Sequence, residues 1–444
     1  MRRKIDGYLD EWAGSASGSP VLLRGARRVG KTFAVKRLGN ERFGPERFVY
    51  CDFQADLQRL NQVFDGPTDI ERIVDGLALL SGKRIDRREM LIAFDEVQLC
   101  EKALNSLRFF AESGYRVIAT GSQLGLTLKD RTLPFPSDVQ HRYLRPLDFE
   151  EFLWAVGEER MAEGIRNAFE KRGKFLLHEE ALALYRQYVI VGGMPGAVLP
   201  FAAERDLGEV RARQAEILET YTADIALYAP TAESVRVQAV WRSIPKQIAR
   251  ETSGKFRYAD VAKGGREKQY RTPLAWLEAA ELVLLTEQTN ETQAPLVARG
   301  EGSFFKVYLS DVGLLYKQLE LDSSVYLRDE LREVLSARFR GALAENYVEQ
   351  SLVANGLRPF YWVPKAGTPA EVEFVLQDGL GQIVPIEVKS GKNVSATSLK
   401  RYREKSGAPT AVRISEKNFG QEGGILSVPL YAAFCLSGDA LLGL

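Results

Sequence analysis

The sequence predicts an α/β protein with more than one domain. Its 444 residues exceed what one hydrophobic core usually serves. Short apolar runs rich in Val, Ile and Phe alternate with helical patterns from residue 20 to about residue 147. This alternation is typical of a parallel sheet covered by helices on both faces. A glycine-rich segment containing Lys31 follows the first run, so a phosphate site is expected at the edge of that sheet.

The composition narrows the classes of function. No apolar run reaches the roughly 18–20 residues of a membrane span, and the N-terminus lacks the apolar segment of a signal peptide. We therefore expect a cytoplasmic protein with no membrane partner. The three cysteines, Cys51, Cys100 and Cys435, cannot form a disulfide framework, and His141 and His178 are too few for a zinc-type site. Any metal is expected to be a hard ion held by oxygen.

Residues 25–32, with the sequence GARRVGKT, predict the phosphate loop. Glycines in a turn between a strand and a helix let several backbone N–H groups approach a triphosphate. Lys31 is expected to reach the β- and γ-phosphates, and Thr32 to ligate Mg²⁺. The residues predicted to contact the nucleotide are Gly25, Ala26, Arg27, Arg28, Val29, Gly30, Lys31, Thr32 and Phe33, together with Ser122 further along the chain.

A second motif supports the same site. The apolar run LIAF ends in Asp95 and Glu96. Asp95 is expected to hold the magnesium ion through water, and Glu96 to activate the attacking water. Ser122 follows another apolar strand, where it would sense the γ-phosphate, although a plain turn explains it nearly as well. Four arginines lie in suitable places for an arginine finger, and the sequence does not choose among them: Arg108, Arg131, Arg142 and Arg145.

The pattern changes three times after the predicted sheet. Helical periodicity continues to about residue 220 and is broken at the segment VGGMPG. Two β-like runs, LVLLTEQ and SFFKVYLSD, then follow helical segments and predict a small separate domain with a hairpin. From about residue 331 a helix precedes further strands, which predicts a C-terminal α/β domain. The predicted division is 1–147 for the sheet core, 148–229 for a helical connector, 230–330 for the small domain and 331–444 for the last domain.

Several of these segments together resemble one family. The runs VLLRGARRVGKT, LIAFDEVQ, IATGSQ and LRPLDFEEFL, and later VGGMPGAV, YTADIALY, KVYLSDVGLL, GALAENYVEQSL and PIEVKSG, are similar to AAA-type P-loop ATPases of bacteria and archaea with a C-terminal domain of unknown function. The resemblance covers nearly the whole chain. It implies ATP and Mg²⁺ as cofactors, an AAA+ core, a winged helix and a restriction-endonuclease-like domain. It also implies a homo-oligomer whose neighbouring subunits complete each site, with a monomeric switch as the alternative.

Residues 244–283 are expected to form a DNA-binding unit. They predict three short helices followed by a wing, a fold that offers one helix to the major groove. Basic residues outnumber acidic ones there, which suits phosphate contacts. A solvated basic face packed against the ATPase core is the alternative. The basic residues are Arg250, Lys255, Arg257, Lys263, Arg266, Lys268 and Arg271, and the apolar residues predicted to be core are Leu274, Trp276, Leu277 and Leu282.

The C-terminal part carries acids and a lysine of the kinds found in magnesium-dependent phosphodiesterases. Glu387 and Lys389 alternate along a predicted strand and so share one face, and Glu373 on the preceding strand is expected to face them. Glu345 on a helix is a further candidate. Glu373 and Glu387 are the expected metal ligands. The nuclease pattern usually has aspartate where this chain has Glu373, and cross-strand salt bridging is the common alternative. Nearby basic residues that would grip a nucleic acid are Lys392, Lys400 and Arg401.

These observations predict an ATP-binding and ATP-hydrolysing protein whose nucleotide state controls the engagement of DNA. Metal-dependent cleavage of that DNA is a further expectation. The alternative is a nucleotide-switched regulatory or protein-binding ATPase with an inactive nuclease fold.

Overall fold

A five-stranded sheet forms the N-terminal part of the chain in the computed structural model. Its strands are β1 (Val21–Arg24), β2 (Phe48–Asp52), β3 (Leu91–Asp95), β4 (Arg116–Gly121) and β5 (Gln140–Tyr143). All neighbours are parallel, in the order β2-β3-β4-β1-β5. The alternating sequence pattern predicted this parallel sheet, and the prediction is confirmed. Because β4 lies between β1 and β3, the two predicted phosphate-site motifs are not on adjacent strands.

Helices cover both faces of this sheet, as predicted. They include α1 (Lys4–Gly14), α2 (Lys31–Leu38), α3 (Leu57–Phe64), α4 (Ile70–Ser81) and α5 (Glu101–Phe110). Successive residues of β1 point to opposite faces, and both faces are buried. Leu23 belongs to the apolar cluster on one side and Leu22 to the cluster on the other. This explains why the strands read as continuous apolar runs rather than as alternating ones.

The structure describes residues 1–15, 19–87, 89–121, 138–250, 254–364, 370–391, 397–438 and 440, and only the backbone of residues 231–232 and 298–303. Three residues named from the sequence, Ser122, Arg131 and Lys392, lie outside the described residues.

A run of helices follows the first sheet. It comprises α6 (Phe149–Ala155), α7 (Glu159–Glu170), α8 (His178–Val191), α9 (Pro195–Glu204), α10 (Leu207–Tyr228) and α11 (Thr231–Ala249). The predicted break at VGGMPG is confirmed, since α8 ends at Val191 and α9 begins at Pro195. Glycine is required in this turn, because a Cβ on Gly193 would lie 2.0 Å from the carbonyl oxygen of Leu147.

The hairpin predicted for residues 230–330 is present, but the middle one of the three predicted short helices is only a 3₁₀ turn. A short 3₁₀ turn at Tyr258–Asp260 precedes α12 (Glu267–Ala279), and β6 (Val283–Thr289) pairs with β7 (Gly300–Leu309) in antiparallel register. Next come α13 (Val312–Gln318), α14 (Ser323–Leu327), α15 (Asp329–Arg332) and α16 (Ala337–Ala354).

The C-terminal part extends the sheet of that hairpin. Its elements are β8 (Phe360–Trp362), β9 (Val372–Gln377), β10 (Ile383–Val388), α17 (Thr397–Ser406), β11 (Ala411–Ser415), β12 (Gly420–Glu422) and β13 (Ile425–Pro429). The eight strands follow the order β12-β13-β11-β10-β9-β8-β6-β7, and β6 pairs with β8 in parallel. The predicted boundary at residue 330 therefore does not separate two sheets. The hairpin is not a free wing, because both edges of β6 are paired.

One apolar core joins all parts of the chain. The cluster that contains Leu23 of β1 also contains Tyr188 of α8, Trp241 of α11 and Ile386 of β10. The segment after β13 returns to the first domain, where the ring of Phe434 lies 6.3 Å from that of Phe149. The phosphate loop is thus built into a continuous core. In the described part of the chain, no helix combines the length and apolar character needed to cross a bilayer.

Candidate functional site

The glycine-rich loop joins β1 to α2 along a path that requires glycine at two positions. Gly25 has a φ of 151°, and a Cβ there would lie 2.1 Å from the carbonyl oxygen of Leu144. Gly30 has a φ of 102° and directly precedes α2, which begins at Lys31. The free N–H groups at the start of α2 and the positive end of its dipole favour an anion at this place. The backbone therefore suits the predicted phosphate site.

Lys31 places its ammonium group over the loop. Its Nζ donates to the carbonyl oxygens of Gly25 and Ala26 at 2.9 Å each, and the residue is only 4% exposed. Burial lowers the pKa of Lys31, while the carboxylates of Glu96 and Glu281 oppose this shift. A buried cation at the end of a phosphate loop is suited to pair with the oxygens of a triphosphate.

Asp95 is the centre of a hydrogen-bonded cluster at the end of β3. Its Oδ2 accepts from the Thr32 hydroxyl at 2.9 Å and from the Tyr50 hydroxyl at 2.5 Å, and its Oδ1 accepts from the Thr120 hydroxyl. The contact with Thr32 joins the two sequence motifs directly. A hydroxyl and a carboxylate side by side are the oxygen ligands that Mg²⁺ uses beside nucleotide phosphates. These residues fit the expected magnesium ion.

Glu96 lies at the carboxyl edge of the sheet, beside this cluster. Its φ of 55° is left-handed, a conformation that costs a non-glycine residue about 1–3 kcal/mol and is frequent at functional sites. The backbone N–H of Glu96 donates to the Thr120 hydroxyl at 3.1 Å, and its Oε2 accepts from Gln98 Nε2 at 2.5 Å. Both ends of the residue are therefore fixed, which a general base requires.

Sequence reasoning missed Tyr50, Gln98 and Thr120. Thr120 is the next-to-last residue of β4 and pairs in register with Leu23 of β1, so it lies between the two motifs. Its position two residues before Ser122 was a signal that could have found it, once β4 was placed in the middle of the sheet. Tyr50 gave no such signal, because tyrosine is common in strands for its packing alone. The sensor role of Ser122 stays a prediction.

The helical connector also contacts the phosphate loop. Arg27 Nη1 lies 2.5 Å from Asp224 Oδ1, and the Tyr221 hydroxyl donates to the carbonyl oxygen of Arg27 at 2.9 Å. Tyr221 and Asp224 are three residues apart on α10 and so face the same way. Burial raises the pKa of Asp224, and the guanidinium of Arg27 opposes that rise. These two residues belong to the segment YTADIALY, for which the sequence suggested no role.

The arginine finger is still not assigned. The guanidinium of Arg142 lies 4.1 Å from the ring centre of Tyr8, and that of Arg145 lies 5.3 Å from the ring centre of Tyr143. Arg108 lies on α5, over the neighbouring ring of Phe109. Contacts within one chain do not distinguish among these residues.

In the C-terminal part, β9 and β10 bring Glu373, Glu387 and Lys389 together. Ile386 pairs with Phe374 in antiparallel register, so the next residue of β10 lies beside the preceding residue of β9. Lys389 Nζ lies 2.9 Å from Glu373 Oε1 and 3.6 Å from Glu387 Oε1. One ammonium therefore pairs with both of the carboxylates that were expected to bind metal.

Glu345 faces the same cleft from α16 but pairs with another lysine. Lys306 Nζ on β7 lies 3.1 Å from Glu345 Oε2 and 2.5 Å from Glu371 Oε1. Burial alone would lower the pKa of Lys306, but the nearby carboxylates raise it well above its usual value. Burial also raises the pKa of Glu373 to about 7 against the pull of Lys389, and the charge of Glu345 adds to this rise.

The cleft does not fit the expected metal ligands. Among the described residues, no group of three or more Asp, Glu, His or Cys side chains is arranged to hold a metal ion. The carboxylate oxygens that would coordinate a metal are instead paired with Lys306 and Lys389. This arrangement corresponds to the salt-bridge alternative of the sequence analysis rather than to a metal centre.

The predicted basic face is partly exposed. Lys263, Arg266 and Lys268 lie in solvent around the start of α12. Two other basic residues of the segment are paired with acids, Arg250 with Asp260 at 2.9 Å and Arg271 with Glu267 at 3.4 Å. Lys400 and Arg401 lie on α17. The four residues predicted to be core are buried, as expected: Leu274, Trp276, Leu277 and Leu282.

Three family models match separate parts of the chain. Residues 17–153 match an AAA domain, residues 182–325 match a domain of unknown function (DUF8612), and residues 340–432 match another domain of unknown function (DUF4143). The N-terminal part is therefore a P-loop domain of the AAA type. None of the three models describes a winged helix or a nuclease, so those two assignments stay predictions.

Individual relatives are distant. An uncharacterized protein of Methanocaldococcus jannaschii is 24% identical over 178 residues, which is 40% of this chain and 36% of that protein's length. Among solved structures, the Orc1 protein of Aeropyrum pernix in complex with DNA is 12% identical with a TM-score of 0.29, covering 76% of this chain and 95% of its own. Cdc6p of Pyrobaculum aerophilum is 13% identical with a TM-score of 0.25, covering 76% and 96%. Similarities this low assign no function.

Proposed function

We propose that this chain binds ATP with Mg²⁺ at the phosphate loop, hydrolyses it, and uses the nucleotide state to control the engagement of DNA. The observation that carries the hydrolysis step is the 2.9 Å hydrogen bond between Thr32 and Asp95, with Glu96 beside it. Thr32 and Asp95 are 63 residues apart in sequence, and a chance glycine-rich turn has no reason to meet an acidic pair in this way.

The side chains divide the chemistry among them. The ammonium of Lys31 and the first N–H groups of α2 bind the phosphates. Thr32 and Asp95 would hold the magnesium ion, which neutralises charge on the β- and γ-phosphate oxygens when bound. Glu96 orients the attacking water and accepts its proton, and Gln98 fixes the Glu96 carboxylate in that position. The choice of ATP rests on the family resemblance.

The contacts of α10 support control by nucleotide. Arg27 is part of the loop that would bind phosphate, and both its guanidinium and its carbonyl group are held by α10, through Asp224 and Tyr221. A change in the loop on nucleotide binding or hydrolysis thus acts directly on a 22-residue helix. That helix leads into the segment predicted to contact DNA.

Two features support DNA as the partner. Lys263, Arg266 and Lys268 are exposed at the start of α12, and the order of helix, short turn, helix and hairpin matches that of a winged helix whose hairpin here belongs to a larger sheet. Exposed lysines and arginines around a helix N-terminus suit the phosphate backbone.

The second candidate is a nucleotide-switched regulatory or protein-binding ATPase with an inactive nuclease fold. The pairing of Lys389 with Glu373 and Glu387 favours inactivity of the C-terminal cleft. Glutamate at position 373, where the nuclease pattern usually has aspartate, favours it as well. Absence of DNA cleavage is compatible with either candidate, so the two are separated by DNA binding and not by nuclease activity.

The hydrolysis step is tested with two substitutions and one matched control. Lys31→Ala is expected to abolish nucleotide binding. Glu96→Gln is expected to keep ATP binding and to lower the hydrolysis rate by at least about 100-fold, since it removes the base. Glu101→Gln, an exposed acid on α5, is the control and should hydrolyse ATP at the normal rate. Normal hydrolysis by Glu96→Gln would contradict the assigned role.

DNA engagement is tested by its dependence on salt. Each phosphate contact that is lost should reduce the slope of log K against log salt by about 0.9. The Arg266→Ala/Lys268→Ala variant is therefore expected to bind DNA with a slope smaller by about 2, and Lys171→Ala, at an exposed site after α7, with an unchanged slope. Measurements with ATP, with ADP and without nucleotide then test the control. Equal DNA affinity in all three states would contradict the control of DNA binding by nucleotide.

A further inference from the structure

A second lysine in the C-terminal cleft comes from outside the segment that carries its acids. Lys306 lies on β7, in the hairpin that extends the sheet. Its ammonium bridges Glu345 on α16, at 3.1 Å, and Glu371 just before β9, at 2.5 Å. The residue is 2% exposed. No local pattern connects Lys306 with Glu345 and Glu371, which lie about 40–65 residues further along the chain.

The surroundings of Lys306 hold its ammonium in place. The side-chain carbons pack against Gly254, where a Cβ would lie 3.3 Å from Lys306 Cε. The ring of Tyr361 has its centre 5.3 Å from Nζ, and the Tyr308 hydroxyl donates to Glu345 Oε2 at 3.3 Å. A lysine enclosed in this way cannot turn its head to solvent, as lysines near a surface usually do. It is therefore a fixed positive charge of the cleft.

We infer that Lys306 and Lys389 are the resident cations of this cleft and take the place of divalent metal ions there. Carboxylates that are close together and partly or wholly buried need cations close by, and both lysines supply them through direct ion pairs. Lys389 bridges one pair of acids and Lys306 bridges another, so each ammonium stands where a shared metal ion would be coordinated. The four bridged acids are Glu345, Glu371, Glu373 and Glu387.

Two consequences follow from this assignment. The cleft performs no metal-dependent cleavage, because the ammonium groups of Lys306 and Lys389 already pair with the carboxylates that would bind the metal. The ion pairs of Lys306 also tie the hairpin to α16 and to the start of β9, which a free wing would not show. The inference concerns the second site alone and holds whether or not the phosphate loop hydrolyses ATP.

The test is Mn²⁺ binding to the full chain without nucleotide, followed by electron paramagnetic resonance. The wild-type chain and Glu373→Gln are expected to bind Mn²⁺ equally, because the cleft of the wild type contributes no Mn²⁺ site. Lys306→Met keeps most of the side-chain volume but removes the charge, and it is expected to bind Mn²⁺ at least about 10-fold more tightly than the wild type. Lys306→Arg keeps the charge and is expected to behave like the wild type.

Two results would overturn the inference. One is Mn²⁺ binding or Mn²⁺-dependent DNA cleavage by the wild-type chain that disappears in Glu373→Gln. The other is a folded Lys306→Met variant that gains no affinity for Mn²⁺. If Lys306→Met does not fold, the comparison of the wild type with Glu373→Gln decides alone. ATP hydrolysis by the same samples keeps a failure here distinct from a failure at the phosphate loop.

Discussion

Glu349 offers a quantitative check on the buried part of α16. The residue is 1% exposed. Burial raises its pKa from 4.5 to about 8, and the Thr286 hydroxyl and Lys306 offset only part of that effect. The carboxyl group is therefore expected to be protonated in the folded chain at pH 7 and ionised in the unfolded chain. Glu349→Gln removes the titration and keeps the shape and a hydrogen-bond donor.

The size and sign of the effect follow from proton linkage. One pKa unit corresponds to about 1.36 kcal/mol, so a rise from 4.5 to about 8 corresponds to about 5 kcal/mol. Between these two pH values the folded chain holds a proton that the unfolded chain has released. The contribution to stability is complete below pH 4.5, declines by up to about 1.4 kcal/mol per pH unit as the pH rises, and is lost above about pH 8.

The assay is urea unfolding of the wild type and Glu349→Gln at pH 5 and pH 9. At pH 5 the two free energies of unfolding should lie within about 1–2 kcal/mol of each other. Between pH 5 and pH 9 the free energy of unfolding of the variant should rise by about 4 kcal/mol relative to that of the wild type, because about 1 kcal/mol of the full effect is already lost at pH 5. Other buried acids titrate as well, Glu373 and Asp311 among them, but their effects cancel in the comparison. Glu404→Gln, an exposed site on α17, is the control. An identical pH dependence of wild type and Glu349→Gln would refute the reasoning.

Two further predictions concern backbone geometry and a buried acid. Gly25→Ala places a Cβ 2.1 Å from a carbonyl oxygen, so a nucleotide titration should show ATP binding lost, whereas Gly14→Ala, with open space around its Cβ, should bind normally. Asp311→Ala leaves the N–H groups of Gly193 and Leu314 without their acceptor, and chemical unfolding should show a loss of about 2–5 kcal/mol; a loss below 1 kcal/mol would mean that water replaces the carboxylate.

Much of the fold could be predicted because the hydrophobic pattern of the sequence matches the burial of its residues in the folded chain. The inner strands β1, β3 and β4 of the first sheet are buried on both faces, so each stands out as a short apolar run. Two strands that escaped prediction, β8 and β12, have only three residues each, too few to show a period. The pairing of β6 with β8 also escaped, because register between distant strands leaves no local trace. For that reason the hairpin was assigned to a separate domain.

The candidate site also has a part that local sequence predicts and a part that depends on tertiary structure. The phosphate loop lies within eight consecutive residues, so its chemistry is visible in the sequence. Asp224 could not be predicted as a partner of that loop, because its position depends on the packing of α10. Thr120 could be recognised as a partner of Asp95 only once β4 was placed between β1 and β3. Lys306 escaped for a further reason. A lysine in a strand is normally expected to face solvent. Only the tertiary structure shows the carboxylates that stabilise the buried ammonium group of Lys306.

The buried polar contacts around α10 explain how a change at the phosphate loop would travel. Asp224 pairs with the loop, and Gln214, three turns earlier on α10, donates to the carbonyl oxygen of Val191 at 3.0 Å. Two residues after Val191, the backbone N–H of Gly193 donates to the Asp311 carboxylate at 2.6 Å. Each of these groups is buried, and leaving one unpaired costs about 1–3 kcal/mol. A movement of the phosphate loop without α10 and the turn at 192–194 is therefore unfavourable, and we expect the three segments to shift together. Because Asp311 follows the end of β7, this shift would also displace β7 and with it the C-terminal sheet.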